Sequence, residues 1–237
     1  GSATVDGGVG AAMALGWRFL DDQGREVGLG GGEIGRIGRI ERPTGLRLPP
    51  VEVLCDVDNP LCGPRGAAPV FGPQKGADPK TVELLDGYLG NLADVVERDL
   101  GVELRDLPGA GAAGGLAGGG VAFLGARLVS GVEVVMEATG LLEQVEDADW
   151  VVTGEGRFDQ QSLYGKVVSG VQRLAQSAGG AVAVLAGSIE MDEVALARAG
   201  VRGAEASRPA DLPLAEALAN AAPLLAAASE RLAKRSF

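Results

Sequence analysis

Residues 151–166 read VVTGEGRFDQQSLYGK. An apolar run gives way to Gly154 and Gly156, interleaved with Glu155, Arg157 and Asp159, and then to Lys166. This is the composition of a strand that feeds a polar loop and then a helix. Moving toward the C-terminus, the same rhythm repeats. A helix is expected near 165–178, a strand at AVAVLAGS (181–188), a helix near 191–199, a short strand at VRGAEA (201–206) and a last helix from about Leu214 to Lys234. Alternating β and α with short links predicts an α/β fold whose last third is a doubly wound parallel sheet. In such sheets ligands sit beyond the carboxyl ends of the strands, which is where the loop after Val152 would fall.

Moving the other way, the pattern is less regular. A helix is expected over about Gly8 to Leu15, and WRFLDDQGREVG (17–28) reads as a hairpin around a polar turn. Residues 51–58, VEVLCDVD, read as a strand that ends in a Pro/Gly-rich loop. Asp78 as N-cap and Pro79 at the first helical position then open the strongest helical pattern in the chain. Val82, Leu85, Leu89, Leu92, Val96 and Leu100 recur at steps of three and four, and Gly101 stops them. PGAGAAGGLAGGGVAFLGARL (108–128) reads as a loop that becomes a helix of small residues, and the segment from Val132 to Arg157 as strand, helix and buried strand.

Composition removes whole classes of chemistry. With 237 residues, 46% hydrophobic and 22% charged, the chain is of the globular type. Its formal net charge of −11 repels nucleic acid and anionic membrane surfaces, so an anionic ligand must be met by local Lys and Arg. There is no histidine, which excludes a Ser-His-Asp triad, a Cys-His pair and a His general base. Proton transfer falls to Asp, Glu, Lys or water. The 39 glycines cluster in loops, as close backbone approach to ligands requires, and the 4% aromatic content offers little for base stacking. Cys55 and Cys62 fit neither a CxxC motif nor a zinc ribbon, and no run of apolar residues suits a membrane span. A reducing cytoplasm is the expected location.

Three strand-end segments carry candidate chemistry. Asp56 and Asp58 alternate on the expected strand, which would put both carboxylates on one face within reach of one Mg²⁺; an acid pair at a sheet edge has the same string. Lys75 precedes a helix N-terminus, where backbone N–H groups and a cation make an anion site; a solvated turn lysine looks no different. The opening loop offers Glu155, Arg157, Asp159 and Lys166 to phosphate oxygens and a metal, or simply to one another as a salt-bridged turn. It is neither a Walker A loop nor a dinucleotide fingerprint, because the glycine spacing is wrong for both.

Taken together, GSATVDGG (1–8), CDVDNPLCGPRGAAPVFGPQKGA (55–77), PGAGAAGG (108–115), FLGARLVSGVEVV (123–135) and VVTGEGRFDQQSLYGK (151–166) resemble, in order and spacing, the bacterial two-domain glycerate kinase family. The resemblance runs over essentially the whole chain. It implies ATP- and Mg²⁺-dependent phosphorylation of D-glycerate, usually to 2-phosphoglycerate, by a monomer or homodimer with no nucleic-acid or membrane partner. It also implies two α/β domains, a mixed-sheet one over residues 1–147 with Gly-rich ligand loops and the C-terminal part of a flavodoxin-like one over 148–237, with the active site in a cleft. On that reading Asp6, Asp56 or Asp58 accepts the hydroxyl proton, and Asp56, Asp58, Glu155 and Asp159 are candidates for holding Mg²⁺. Ser2, Thr4, Lys75, Arg157 and Lys166, with the backbone at Gly109, Gly111, Gly114, Gly154 and Gly156, would bind substrate and phosphate.

Two departures stand out. Val5 replaces an Asn common in the family pattern, and the D-S-F-K-G and D-G-G-E-G loops that precede GSATVDGG in that pattern are absent. The chain thus resembles a family member lacking its N-terminal portion, for which weak or absent turnover is expected. A non-catalytic nucleotide- or small-acid-binding fragment, and a kinase for a related hydroxy acid or for the 3-hydroxyl of glycerate, are the alternative readings.

Overall fold

In the computed structural model, which describes residues 2–163 and 167–236, the chain opens with helix α1 (Val9–Ala14), strand β1 (Arg18–Leu20) and strand β2 (Arg39–Glu41). β1 pairs antiparallel with β2, Phe19 opposite Ile40, whereas the hairpin expected over 17–28 closes only a single bridge, Leu20 to Glu26. The cause is Asp21, whose carboxylate takes the N–H groups of Gln23 and Arg25 at 2.9 Å each and winds the polar stretch into a turn. Those bonds, the one from Arg25 above all, hold the Asp21 carboxyl down to about 2.

β3 (Glu52–Leu54), helices α2 (Ala67–Phe71), α3 (Pro79–Leu100) and α4 (Leu116–Leu124), and strand β4 (Arg127–Val129) complete the first unit, and β3 pairs in parallel with β4. The strand expected to reach residue 58 therefore stops at Leu54. Cys55 N–H still donates to Val129 O at 2.8 Å, but the partner strand ends there and residues 56–58 have no ladder to join.

α3 matches its sequence pattern. Asp78 accepts from Thr81 N at 2.7 Å, Pro79 occupies the first turn, and Gly101 ends the helix in the left-handed region at φ 71°. Leu89, Leu92 and Val96 are fully buried, in one core with Phe19, Ile34, Ile37, Leu61 and Leu104. Asp78→Ala removes the cap and is expected to cost about 1 kcal/mol, read as a lower urea midpoint with unchanged slope. α4 is built from small residues for a steric reason: a Cβ on Gly119 would lie 2.3 Å from Gly7 O, so a glycine here lets the helix lie against the chain at residues 7–8.

The chain divides into two compact units at Gly131/Val132. The sequence pattern puts the boundary at 147/148 instead. The difference is helix α5 (Gly131–Ala138) and helix α6 (Leu141–Val145), whose Met136 and Val145 are buried in the second unit's core. α5 replaces the strand expected at VEVVM, because Val132 and Met136, one turn apart, both pack on that core.

The second unit continues with β5 (Trp150–Phe158), α7 (Val167–Ser177), β6 (Ala181–Ile189), α8 (Glu193–Arg198), β7 (Val201–Ala206), α9 (Leu214–Ala219) and α10 (Ala221–Ser236). β5, β6 and β7 form a parallel sheet in sequence order, with Val151 opposite Val182 and Ala183 opposite Gly203. The single last helix expected from Leu214 breaks at Asn220 (φ −115°, ψ 24°), since Pro223 has no N–H to continue a helix from the preceding turn. Among the described residues no helix is long and apolar enough to cross a membrane.

Candidate functional site

In the first unit the structure gathers residues 2–8, Lys75 and the glycine turn at 109–115. Asp6 shapes the first of these: its carboxylate accepts from Gly8 N at 3.1 Å, Gly10 N at 3.2 Å and the Thr4 hydroxyl at 3.3 Å. Val5, at the position where the family pattern has Asn, is buried in the core. Lys75 ends the short 3₁₀ turn Pro73–Lys75, and its ammonium donates to Ser2 Oγ at 2.8 Å and Thr4 O at 2.7 Å. A third N–H remains, and among the described residues Lys75 joins no ion pair. Partial burial pushes its pKa below the usual lysine value, against the opposing pull of the Asp6 carboxylate.

The glycine turn closes over this lysine. Ala113 (φ 55°, ψ 35°), Gly114 (φ 74°, ψ 29°) and Gly115 (φ 88°, ψ 0°) are consecutive left-handed residues, and Ala113 is the one non-glycine residue with positive φ among those described. Gly114 and Gly115 take this conformation freely, whereas Ala113 stores strain of the kind found at ligand sites. A Cβ on Gly114 would lie 2.1 Å from Thr4 O and 2.9 Å from Lys75 Nζ, and Gly7 N donates to Gly114 O at 3.1 Å. α4 then starts at Leu116 with no side-chain cap, and its Gly118 N–H donates to Ala110 O at 3.0 Å.

The two aspartates of the 55–66 loop have different partners. Asp56 Oδ1 accepts from Gly131 N at 2.8 Å and faces the Ser130 hydroxyl at 3.4 Å, so it ties the end of β3 to the end of β4. Asp58 is 79% exposed, with Arg65 3.9 Å away. The shared strand face expected for the two does not form, because the strand has already ended. Gly111 gives its N–H to Asn59 O at 3.0 Å and is therefore not available to a phosphate. Gly109 packs against Cys55, whose thiol lies 3.2 Å from Val57 O; Cys55 and Cys62 are both free.

In the second unit, Gly154 and Gly156 lie within β5 rather than in a loop beyond it, since the strand runs on to Phe158. The reason is local: a Cβ on Gly154 would meet Leu185 O at 2.3 Å, so only glycine lets the ladder continue there. Arg157 is held between two carboxylates, Asp159 (3.3 Å) and Glu190 (2.5 Å). Asp159 is itself clamped to Ser162, a fully buried residue that sequence reasoning missed. Glu155 Oε1 is buried and has no hydrogen-bond partner among the described residues. Lys166 lies outside the described residues.

Among the described residues no three Asp, Glu, Cys or His side chains are grouped to hold a metal. The structure thus joins Ser2, Thr4, Asp6, Lys75 and Gly114 in one place, and Arg157 with Asp159 in another. Glu190 carries no motif of its own; it is recognisable only once the strands that place it are known.

The comparisons with known proteins agree across the chain. The family model described as "Glycerate kinase family" matches residues 1–236. The glycerate kinase of Halalkalibacterium halodurans is 44% identical over 98% of this chain and 62% of its own length. The Escherichia coli glycerate 2-kinase is 46% identical over 81% of this chain and 51% of its own. A crystal structure assigned as glycerate kinase 2 from Salmonella typhimurium superposes with a TM-score of 0.75 at 40% identity, covering 100% of this chain and 64% of that one. The chain therefore spans a little over half to under two thirds of the length of these relatives.

Proposed function

The chain belongs to the glycerate kinase family, and from that premise we propose that it serves the ATP-dependent phosphorylation of D-glycerate at the 2-hydroxyl. The observation that carries this reading is Lys75. In a chain of net charge −11, a half-buried ammonium held by neutral oxygens and covered by a left-handed glycine turn is a fixed positive charge with a donor to spare. A small carboxylate or a phosphate satisfies it through a charge-assisted hydrogen bond.

Phosphoryl transfer needs positioning and charge neutralisation more than covalent help. The carboxylates divide accordingly. Asp6 and Asp56 are occupied by backbone N–H groups, so they shape loops. Asp58 is exposed and only loosely approached by Arg65, so it is assigned to accept the glycerate hydroxyl proton. Arg157 is assigned to phosphate oxygens, and Glu155, with its buried unpartnered oxygen, is the carboxylate that best fits Mg²⁺. One protein carboxylate suffices for that ion, which fills its remaining positions with water and phosphate oxygens. When bound, Mg²⁺ supplies neutralisation of the charge on the transferring phosphoryl group.

Asp58→Asn is expected to lower kcat about a hundredfold or more with little change in the D-glycerate KM or in thermal stability. Asp56→Asn is expected to lower stability as well, because it weakens the tie to Gly131. ADP release and thermal unfolding, measured on both variants, check the division; near-normal turnover in Asp58→Asn would remove it from the chemical step.

A further inference from the structure

Arg157 has a second carboxylate that the proposed function does not use. Its Nε faces Asp159 Oδ2 at 3.3 Å, and its Nη2 donates to Glu190 Oε2 at 2.5 Å. Among the described residues two carboxylates meet this one guanidinium, and the outer one, Glu190, takes up the N–H that a phosphate oxygen would need. The two acids are held very differently. Asp159 is 21% exposed, and both its backbone N–H and its Oδ1 are engaged by the fully buried Ser162, so it fixes the guanidinium from the Nε side. Glu190 is anchored through its backbone, where its N–H donates to Phe158 O at 2.8 Å just past the end of β6. Its side chain is 51% exposed and meets solvent.

We infer that Glu190 is an internal stand-in for phosphate: it occupies the outer edge of Arg157 in the ligand-free protein, must swing away before a nucleotide phosphate can bind, and thereby sets nucleotide affinity. The inference rests on the assignment of Arg157 to phosphate and adds to it a residue that weakens binding. Displacement is cheap, since an exposed ion pair is worth little and the Glu190 backbone need not move. Asp159 meanwhile keeps the guanidinium oriented, so the incoming phosphate meets a preset fork.

The test is a calorimetric titration of ADP with Mg²⁺ into the wild-type chain, Glu190→Gln, Arg157→Gln and the double variant, each checked for an unchanged thermal midpoint. Glu190→Gln is expected to bind ADP about two- to fivefold more tightly, Arg157→Gln more weakly, and the gain from Glu190→Gln is expected to vanish in the double variant. An unchanged or weaker affinity in Glu190→Gln, alongside a loss in Arg157→Gln, would overturn the inference and leave the function reading in place. No change in Arg157→Gln, or no ADP binding by the wild-type chain, would overturn both the role of Arg157 and the stand-in built on it.

Discussion

Lys75→Met is expected to weaken D-glycerate binding about ten- to a hundredfold, the equivalent of a charge-assisted hydrogen bond worth about 1.5–3 kcal/mol. Methionine keeps the length and much of the volume of the lysine stem, so packing beside Gly114 is preserved. The oxygens that lose their donor are Ser2 Oγ and Thr4 O, and Thr4 is exposed enough for water to replace the lost N–H. The loss should therefore appear in affinity and not in folding. Calorimetric titration with D-glycerate, paired with thermal unfolding, separates the two; equal affinity in a folded Lys75→Met protein would mean that the ammonium does not touch the ligand.

Gly114→Ala is the substitution with the largest expected effect on stability, a loss of about 2–5 kcal/mol. Two costs add. The residue sits at φ 74°, where an L side chain is disfavoured, and its Cβ would press on Thr4 O and Lys75 Nζ, at 2.1 and 2.9 Å. Gly63 provides the control, because it also has a left-handed φ of 89° but no atom within 4 Å of a built Cβ. Gly63→Ala should thus show only the conformational cost, about 1–2 kcal/mol. Urea denaturation of both variants measures the difference; similar losses at the two positions would mean that the turn does not close tightly over Lys75.

Much of the second unit was legible because its strands and helices repeat at short intervals with unambiguous apolar runs. AVAVLAGS and VRGAEA became β6 and β7 within a residue of the expected limits. α3 was equally readable, since cap, first-turn proline, period and terminal glycine all agree. What could not be read depended on partners remote in sequence. VEVVM has strand composition but is helical, because its burial is decided by the core of the second unit. Asp56 and Asp58 would share one face only on a strand that extended beneath them, and the end of β3 is set by where β4 stops.

The site shows the same division. Lys75 and the glycine turn announce themselves as unusual residues, but their meeting with Ser2 and Thr4 joins positions 73 and 71 residues apart. No local pattern encodes that closure. Likewise the sequence marks Arg157 as a phosphate candidate, while the carboxylate that pairs with it, Glu190, comes 33 residues later from the end of the neighbouring strand.

The central claim is phosphoryl transfer to D-glycerate with Lys75 in the binding site, and ADP release in the presence of ATP, Mg²⁺ and D-glycerate tests it most directly. The assay should use the protein with and without Lys75→Met. The account predicts ADP and 2-phosphoglycerate in equal amounts, formed only when D-glycerate is present, and a marked loss in Lys75→Met. ATP hydrolysis independent of glycerate, or full turnover with Lys75 replaced, would contradict it.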